Sequence, residues 1–321
     1  MSSDDEDWRA DVEYSTAAVR VGGRFEFAVT QQDELPPFAA LAMLAELGES
    51  ASEISGKRVW AGSQVLCAHL VAHGAALIPP GACTLELGAG SGIASMTAAA
   101  LGASLAVATD GDPEVVEMLA GNMAQNNEAA RPGRLAADSL WWGNDGSLRA
   151  LLAAYGGGGG GAGGGGGVSG VCDFRVLLAG DVLYKHELLP LFFGTVSRLL
   201  ALPDAAAATA GTGAADGDGD AERCAAAAPA PRRLLLCHIP RAAVEHAQVV
   251  AAAEDHGLVV VRRELTPEDL AALEKEGGGE VEMADASRAR VYDIALPAEG
   301  AEGSAAVRAR WAMGAAAPVA S

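Results

Sequence analysis

Two acids and a run of glycines are spaced as a nucleoside site would need them. Thr84-Leu85-Glu86-Leu87 leads into Gly88-Ala89-Gly90-Ser91-Gly92, and a second apolar run, Ser104 to Thr109, ends on Asp110. Glycines let backbone N–H groups approach a ligand that a Cβ would hold off, and they tolerate positive φ. The turn opens a helix-compatible run, Ile93 to Leu101, whose first N–H groups favour negative charge. Asp110, at the tip of the second strand, is placed to accept from both hydroxyls of a ribose. The unit reads as strand, turn, helix, strand, with a nucleotide site at its mouth.

The spacing narrows the ligand. Dinucleotide sites use G-x-G-x-x-G/A, whose last small residue lets the helix pack close to a pyrophosphate. This chain has G-x-G-x-G, with Ile93 where that small residue would stand. A nucleoside without phosphates does not need it. With Glu86 two residues before Gly88, the run resembles the first motif of the S-adenosylmethionine (SAM) methyltransferases. A dinucleotide site or a ligand-free tight turn are the alternatives at this point.

Other patterns carry less. His69 and His73 stand four apart, as in H-E-x-x-H, but Leu70 replaces the glutamate, so no metal site is expected. Cys67, Cys83, Cys172, Cys224 and Cys237 form no C-x-x-C pair. The glycine tract from Gly156 to Gly167 lacks the Lys and Ser/Thr of a phosphate loop. No Ser/His/Asp order is visible. A formal charge of -20 argues against a nucleic-acid surface and suits either a basic partner or plain solubility. No apolar run approaches a membrane span. The acidic start fits neither a secretory signal nor a transit peptide, so a cytoplasmic or nuclear setting is expected.

The elements that must position these residues follow from pattern. Ala17–Val21 and Arg24–Val29 alternate around Gly22-Gly23, which predicts an N-terminal β-hairpin. Phe38 to Leu47 reads as a short helix. An amphipathic helix is expected from about Lys57 to Gly74, with Val65, Leu66, Ala68 and Leu70 inward and Gln64 and His69 on other faces. Pro113 to Gln125 is a helix capped by Asp112, with Asn122, Asn126 and Asn127 toward its exposed end. Further strands are expected at 134–138, 173–181, 233–238, 258–262 and 290–296. Helices are expected at 188–200 and 242–255, with a Glu-rich helical piece before the last strand. Alternating strands and helices predict an α/β Rossmann-like fold: one mostly parallel, seven-stranded sheet with helices on both faces. The expected organisation is an acidic tail over 1–15, one domain over 16–297 and a low-complexity tail over 298–321. Flexible inserts are expected at about 156–170 and 202–231.

Taken together, these motifs resemble the seven-strand (class I) protein-lysine methyltransferases, the methyltransferase-like 21 group. The residues that carry the resemblance are Val59-Trp60-Ala61-Gly62, Leu85 to Gly92, Thr109-Asp110 and Asn122 to Asn126. Trp142-Gly143 and Gly180-Asp181-Val182-Leu183-Tyr184 complete the set. The resemblance implies SAM as cofactor. It implies that Trp60 lines the methionine end, that Gly88, Ala89 and Gly90 give backbone contacts, and that Glu86 belongs to the same site. Asp110 would bind ribose, Trp142 would pack beside adenine, and Gly180 would lie along the methionine portion. Trp141 is an alternative adenine partner. Family members often have alanine where Gly180 stands. Asp181 and Tyr184 would orient a substrate lysine, or merely order their loop. Arg241 would face substrate or solvent. The expected activity is methylation of a lysine on a protein substrate by a monomeric enzyme. A small-molecule methyltransferase and a non-catalytic SAM-fold subunit are the alternatives.

Overall fold

Alternation of apolar and polar residues makes the first unit a hairpin. In the computed structural model, which describes residues 13–33, 56–155, 172–203, 230–240, 244–274 and 287–298, β1 (Tyr14–Val21) pairs antiparallel with β2 (Phe25–Gln32). Val19, Val21, Phe27 and Val29 are buried on one face.

The other seven strands form one sheet: β3 (Cys83–Leu87), β4 (Leu105–Asp110), β5 (Arg134–Ser139), β6 (Phe174–Gly180), β7 (Arg233–His238), β8 (Val259–Arg263) and β9 (Arg290–Ala295). Their order is β5-β4-β3-β6-β7-β9-β8. β3 to β7 are mutually parallel, and β9 runs antiparallel between β7 and β8. Strand order reverses at the β3/β6 boundary, and ligands of doubly wound sheets bind outside the carboxyl ends of strands at such a point.

Both faces of the sheet are covered, which is why its central strands read as continuous apolar runs. In β6, Val176 and Leu178 enter one core layer while Leu177 and Ala179 enter the other. The first layer is closed by α1 (Ala61–His73), α2 (Ile93–Ala100), α3 (Pro113–Asn126) and the hairpin. The second is closed by α4 (Asp145–Tyr155), α5 (Leu188–Leu200) and α6 (His246–Asp255). A further helix, α7 (Pro267–Glu274), adds Leu273 to the first layer.

Three expectations change. α1 is not amphipathic: every residue from Gly62 to Leu70 is buried, Gln64 and His69 included. It runs between the sheet, the hairpin, α2 and α7, so it has no solvent face to mark in sequence. Asn122 and Asn126 are buried, at 0% and 2% exposure, not at an exposed end; only Asn127 is exposed. α4 has no counterpart in the sequence reading, because Asn144-Asp145-Gly146-Ser147 reads as turn before it reads as a helix start. The expected helix over 38–47 lies outside the described residues, as do Arg241, the glycine tract and most of the second insert. α6 begins at His246 behind a capping box of Glu245 and Gln248.

Candidate active site

β3 ends under the glycine turn, and the turn is stitched to the next strand. The Ala89 N–H donates to the Thr109 carbonyl at 2.8 Å, and the Thr109 hydroxyl donates to the Glu86 carbonyl at 2.7 Å. The Gly90 N–H donates to Asp110 Oδ2 at 3.1 Å, while Oδ1 accepts from the Asp112 N–H at 3.2 Å. Asp110 therefore faces the glycine turn. Burial pushes its carboxyl above the ordinary range, and these N–H donors pull it back.

The glycines stand where neighbours leave no room for a side chain. Gly88 has φ 68°, and a Cβ there would lie 2.9 Å from Val182 Cγ1 and 3.0 Å from Trp142 Cζ2. Gly90 has φ 52°, and a Cβ would lie 2.8 Å from the Gly56 carbonyl oxygen. The segment that leads into α1 therefore passes over the turn. Trp60 caps α1 through its carbonyl, which accepts from the Ser63 and Gln64 N–H groups.

The β6 end meets α1 just as closely. A Cβ on Gly180 would lie 2.7 Å from Ser63 Cα, and the Ser63 hydroxyl donates to the Gly180 carbonyl at 3.2 Å. That contact leaves no room for a side chain at Gly180. A Cβ on Gly62 would lie 2.6 Å from Asp181 Cβ. Asp181 itself has φ 60°, the only positive φ outside glycine among the described residues, and its N–H donates to the Cys237 carbonyl at 2.9 Å. Holding a non-glycine residue there costs about 1–3 kcal/mol, and such strain gathers at functional sites. Tyr184, three residues on, is half-buried.

The two tryptophans part company. Trp142 is wedged between Gly88 and Phe192, whose ring meets it edge-on at 5.0 Å. Gly143 fastens it further, donating to Thr195 Oγ1 at 2.9 Å. Trp141 is 53% exposed and lies against Gly111, the residue after Asp110.

Glu86 is not on the surface of this crevice. It is 1% exposed and points under the turn, where Oε2 accepts from the Ser95 N–H in the first turn of α2 at 2.8 Å. Burial raises its pKa to about 7. Thus Trp60, Gly88, Ala89, Gly90, Asp110, Trp142, Gly180 and Asp181 gather at the carboxyl ends of β3, β4, β5 and β6, with Glu86 beneath them. The sequence reading gave no role to Ser63 or Val182, whose types carry no chemical signal; only the packing marks them.

Residues 43–151 match the model of a lysine methyltransferase family. The lysine methyltransferase match takes in Trp60, the glycine turn, Asp110 and Trp142, about a third of the chain, and ends before Gly180, Asp181 and Tyr184. No curated protein matches the chain. Among solved structures, a candidate SAM-dependent methyltransferase from Streptococcus mutans has TM-score 0.43 and 11% identity, covering 87% of this chain and 55% of that one. The chain therefore spans little more than half of that relative's length. A SAM-dependent methyltransferase from Agrobacterium tumefaciens has TM-score 0.41 and 13% identity, covering 88% and 70%. An O-methyltransferase from Bacillus cereus, solved with S-adenosylhomocysteine, has TM-score 0.36 and 11% identity, covering 81% and 92%. The sheet order, with its antiparallel strand next to the edge, is that of the class I methyltransferase fold.

Proposed function

We propose that the chain is a SAM-dependent methyltransferase that modifies a lysine side chain of a protein. The observation that carries this reading is the Gly90–Asp110 contact, a strand-tip carboxylate held against a side-chain-free turn inside the segment that matches a lysine methyltransferase family. The donor set fits the cofactor. A ribose offers two hydroxyl donors, which suit Asp110. Adenine needs an aromatic wall, which suits Trp142, with Trp141 as the alternative. The amino-acid end needs close backbone approach, which suits Gly88, Ala89, Gly90 and Gly180, with Trp60 alongside. Glu86 takes the part of a brace, holding α2 to β3 from beneath.

Bound SAM would supply an electrophilic methyl on a cationic sulfur. The protein's task is then alignment rather than covalent chemistry. A lysine amine has a pKa of about 10.4, so roughly one in a thousand is neutral at pH 7. Asp181 and Tyr184 receive and orient that amine, and the surrounding apolar residues favour its neutral form. The proton departs to water. The net charge of -20 favours a basic protein surface as partner, with an encounter that weakens as salt rises. Among the described residues no helix is long and apolar enough to cross a membrane.

Titration calorimetry with SAM tests the cofactor. Asp110→Ala should weaken binding at least tenfold, because hydrogen bonds to a charged group contribute about 1.5–3 kcal/mol each. Quenching of tryptophan emission by SAM should be lost in Trp142→Phe; loss in Trp141→Phe instead would transfer the adenine role. Labelled methyl appearing in protein lysine supports the substrate class, whereas label confined to small metabolites would favour the small-molecule alternative. No binding of SAM at all would leave a non-catalytic fold.

A further inference from the structure

Away from the crevice, α1 and α7 cross where three side chains close up: His69, His73 and Asp269. The two histidines are four apart on α1, which puts both imidazoles on one helix face. Their rings sit 4.4 Å apart, tilted by 60°. Asp269 comes from 200 residues along the chain and is fully buried. Its Oδ2 accepts from the Thr266 N–H at 2.6 Å, as part of the cap of α7. Its Oδ1 faces two ring nitrogens at once, His69 Nδ1 at 3.1 Å and His73 Nε2 at 3.4 Å.

We propose that His69, His73 and Asp269 bind a divalent transition-metal ion of the zinc class and that the ion clamps α7 to α1. The spacing suits it. Ligand atoms about 2.0–2.1 Å from a tetrahedral ion stand about 3.3 Å from one another, and 3.1 and 3.4 Å bracket that value. The chemistry suits it too, since two imidazoles and a carboxylate are the usual donors for such ions. Hydrogen bonding leaves the cluster incomplete: His73 Nε2, which faces Asp269 Oδ1, is buried without a hydrogen-bond partner among the described residues. The His73 side chain is one-third exposed, which gives an ion a way in and a water a place in the remaining position. A bound ion takes both imidazoles neutral and displaces any proton on His69 Nδ1.

The ion would not touch the reacting atoms. His69 lies about 13 Å and His73 about 20 Å along α1 from Trp60 at 1.5 Å per residue. Its effect belongs to the stability of α7, independently of the methyltransferase reading.

The test uses the full chain, stripped with a chelator and titrated with Co2+, then with Zn2+ in competition. Expected are visible d–d absorption that saturates at one equivalent, its displacement by Zn2+, and a higher melting temperature with Zn2+. His73→Gln should weaken binding at least tenfold and leave the metal-free melting temperature unchanged. His73→Cys should restore binding and add a thiolate-to-cobalt charge-transfer band, which a purely structural role would not produce. No saturable binding to the wild type, binding unaltered in His73→Gln, or no new band in His73→Cys would each overturn the proposal.

Discussion

Glu86 is a carboxylate sealed from water, and its proton is bound more tightly in the folded chain than in the unfolded one. Burial is the main cause, the nearby Asp110 charge adds to it, and the Ser95 N–H works against it. The folded pKa of about 7 stands against 4.5 unfolded. Below pH 4.5 both states hold the proton, and the full stability is present. Between 4.5 and 7 only the folded state holds it, so stability falls as pH rises, and above 7 the loss is complete. The difference is on the order of 3 kcal/mol. Glu86→Gln keeps an acceptor for Ser95 and removes the titration. Its melting temperature should fall less between pH 5 and 8 than that of the wild type, measured by scanning calorimetry; an unchanged slope would show that Glu86 is already ionised.

Asp181 poses the opposite case, a residue whose backbone conformation is unfavourable for its own type. Glycine at this position removes the strain at φ 60° but also removes the carboxylate. Asp181→Gly should raise stability by about 1 kcal/mol in a urea melt and lower methyl transfer. A variant that gains stability and keeps its full rate would take Asp181 out of the mechanism.

At the scale of elements, the hairpin is held to the domain by an amide ladder. Asn126 Oδ1 accepts from the Ala28 N–H at 2.9 Å while its Nδ2 donates to the Ala28 carbonyl at 2.7 Å. Asn122 does the same for Thr30, at 2.8 and 3.0 Å, and also donates to the Ser91 carbonyl at 3.2 Å. Two side chains on one face of α3 thus stand in for a neighbouring strand along β2. Asn122 also ties that edge to the glycine turn, so the hairpin and the site share a support. Asn126→Asp replaces a donor by an oxygen that faces the Ala28 carbonyl. It should cost about 2–3 kcal/mol in chemical denaturation and remove hydrogen-exchange protection at the Ala28 amide. Equal protection in both proteins would show that apolar packing of Val19, Val21, Phe27 and Val29 holds the hairpin unaided.

For the whole molecule, closure of the sheet depends on its last described strand. β9 pairs with β7 on one side and β8 on the other, and Asp293 accepts from Arg263 at 2.8 Å and lies 3.5 Å from Arg233. One carboxylate therefore ties three strands together. Val291, Tyr292 and Ile294 are buried, at roughly 1.5–3 kcal/mol each, and their sum approaches the net stability of an ordinary domain. A chain ended before Arg290 should fail to give a cooperative thermal transition; a normal transition would show that β7 can serve as an edge.

The sequence by itself determined the site's ingredients. Local rules sufficed for the glycine turn, the strand-tip Asp110, the capped helix after Asp112 and the Gly22-Gly23 hairpin, because each depends on neighbours a few residues away. Hydrophobic runs were enough for the central parallel strands, since burial on both faces leaves its mark along each of them. Tertiary structure decided what distance along the chain conceals. It buried Asn122 and Asn126 against a strand nearly a hundred residues away, turned Glu86 beneath the loop, set β9 between β7 and β8, and brought Asp269 to His69 and His73. For the two asparagines and for Asp269 a polar group found its partner across the fold, and polar pairing, unlike apolar periodicity, leaves no repeat for a sequence to display.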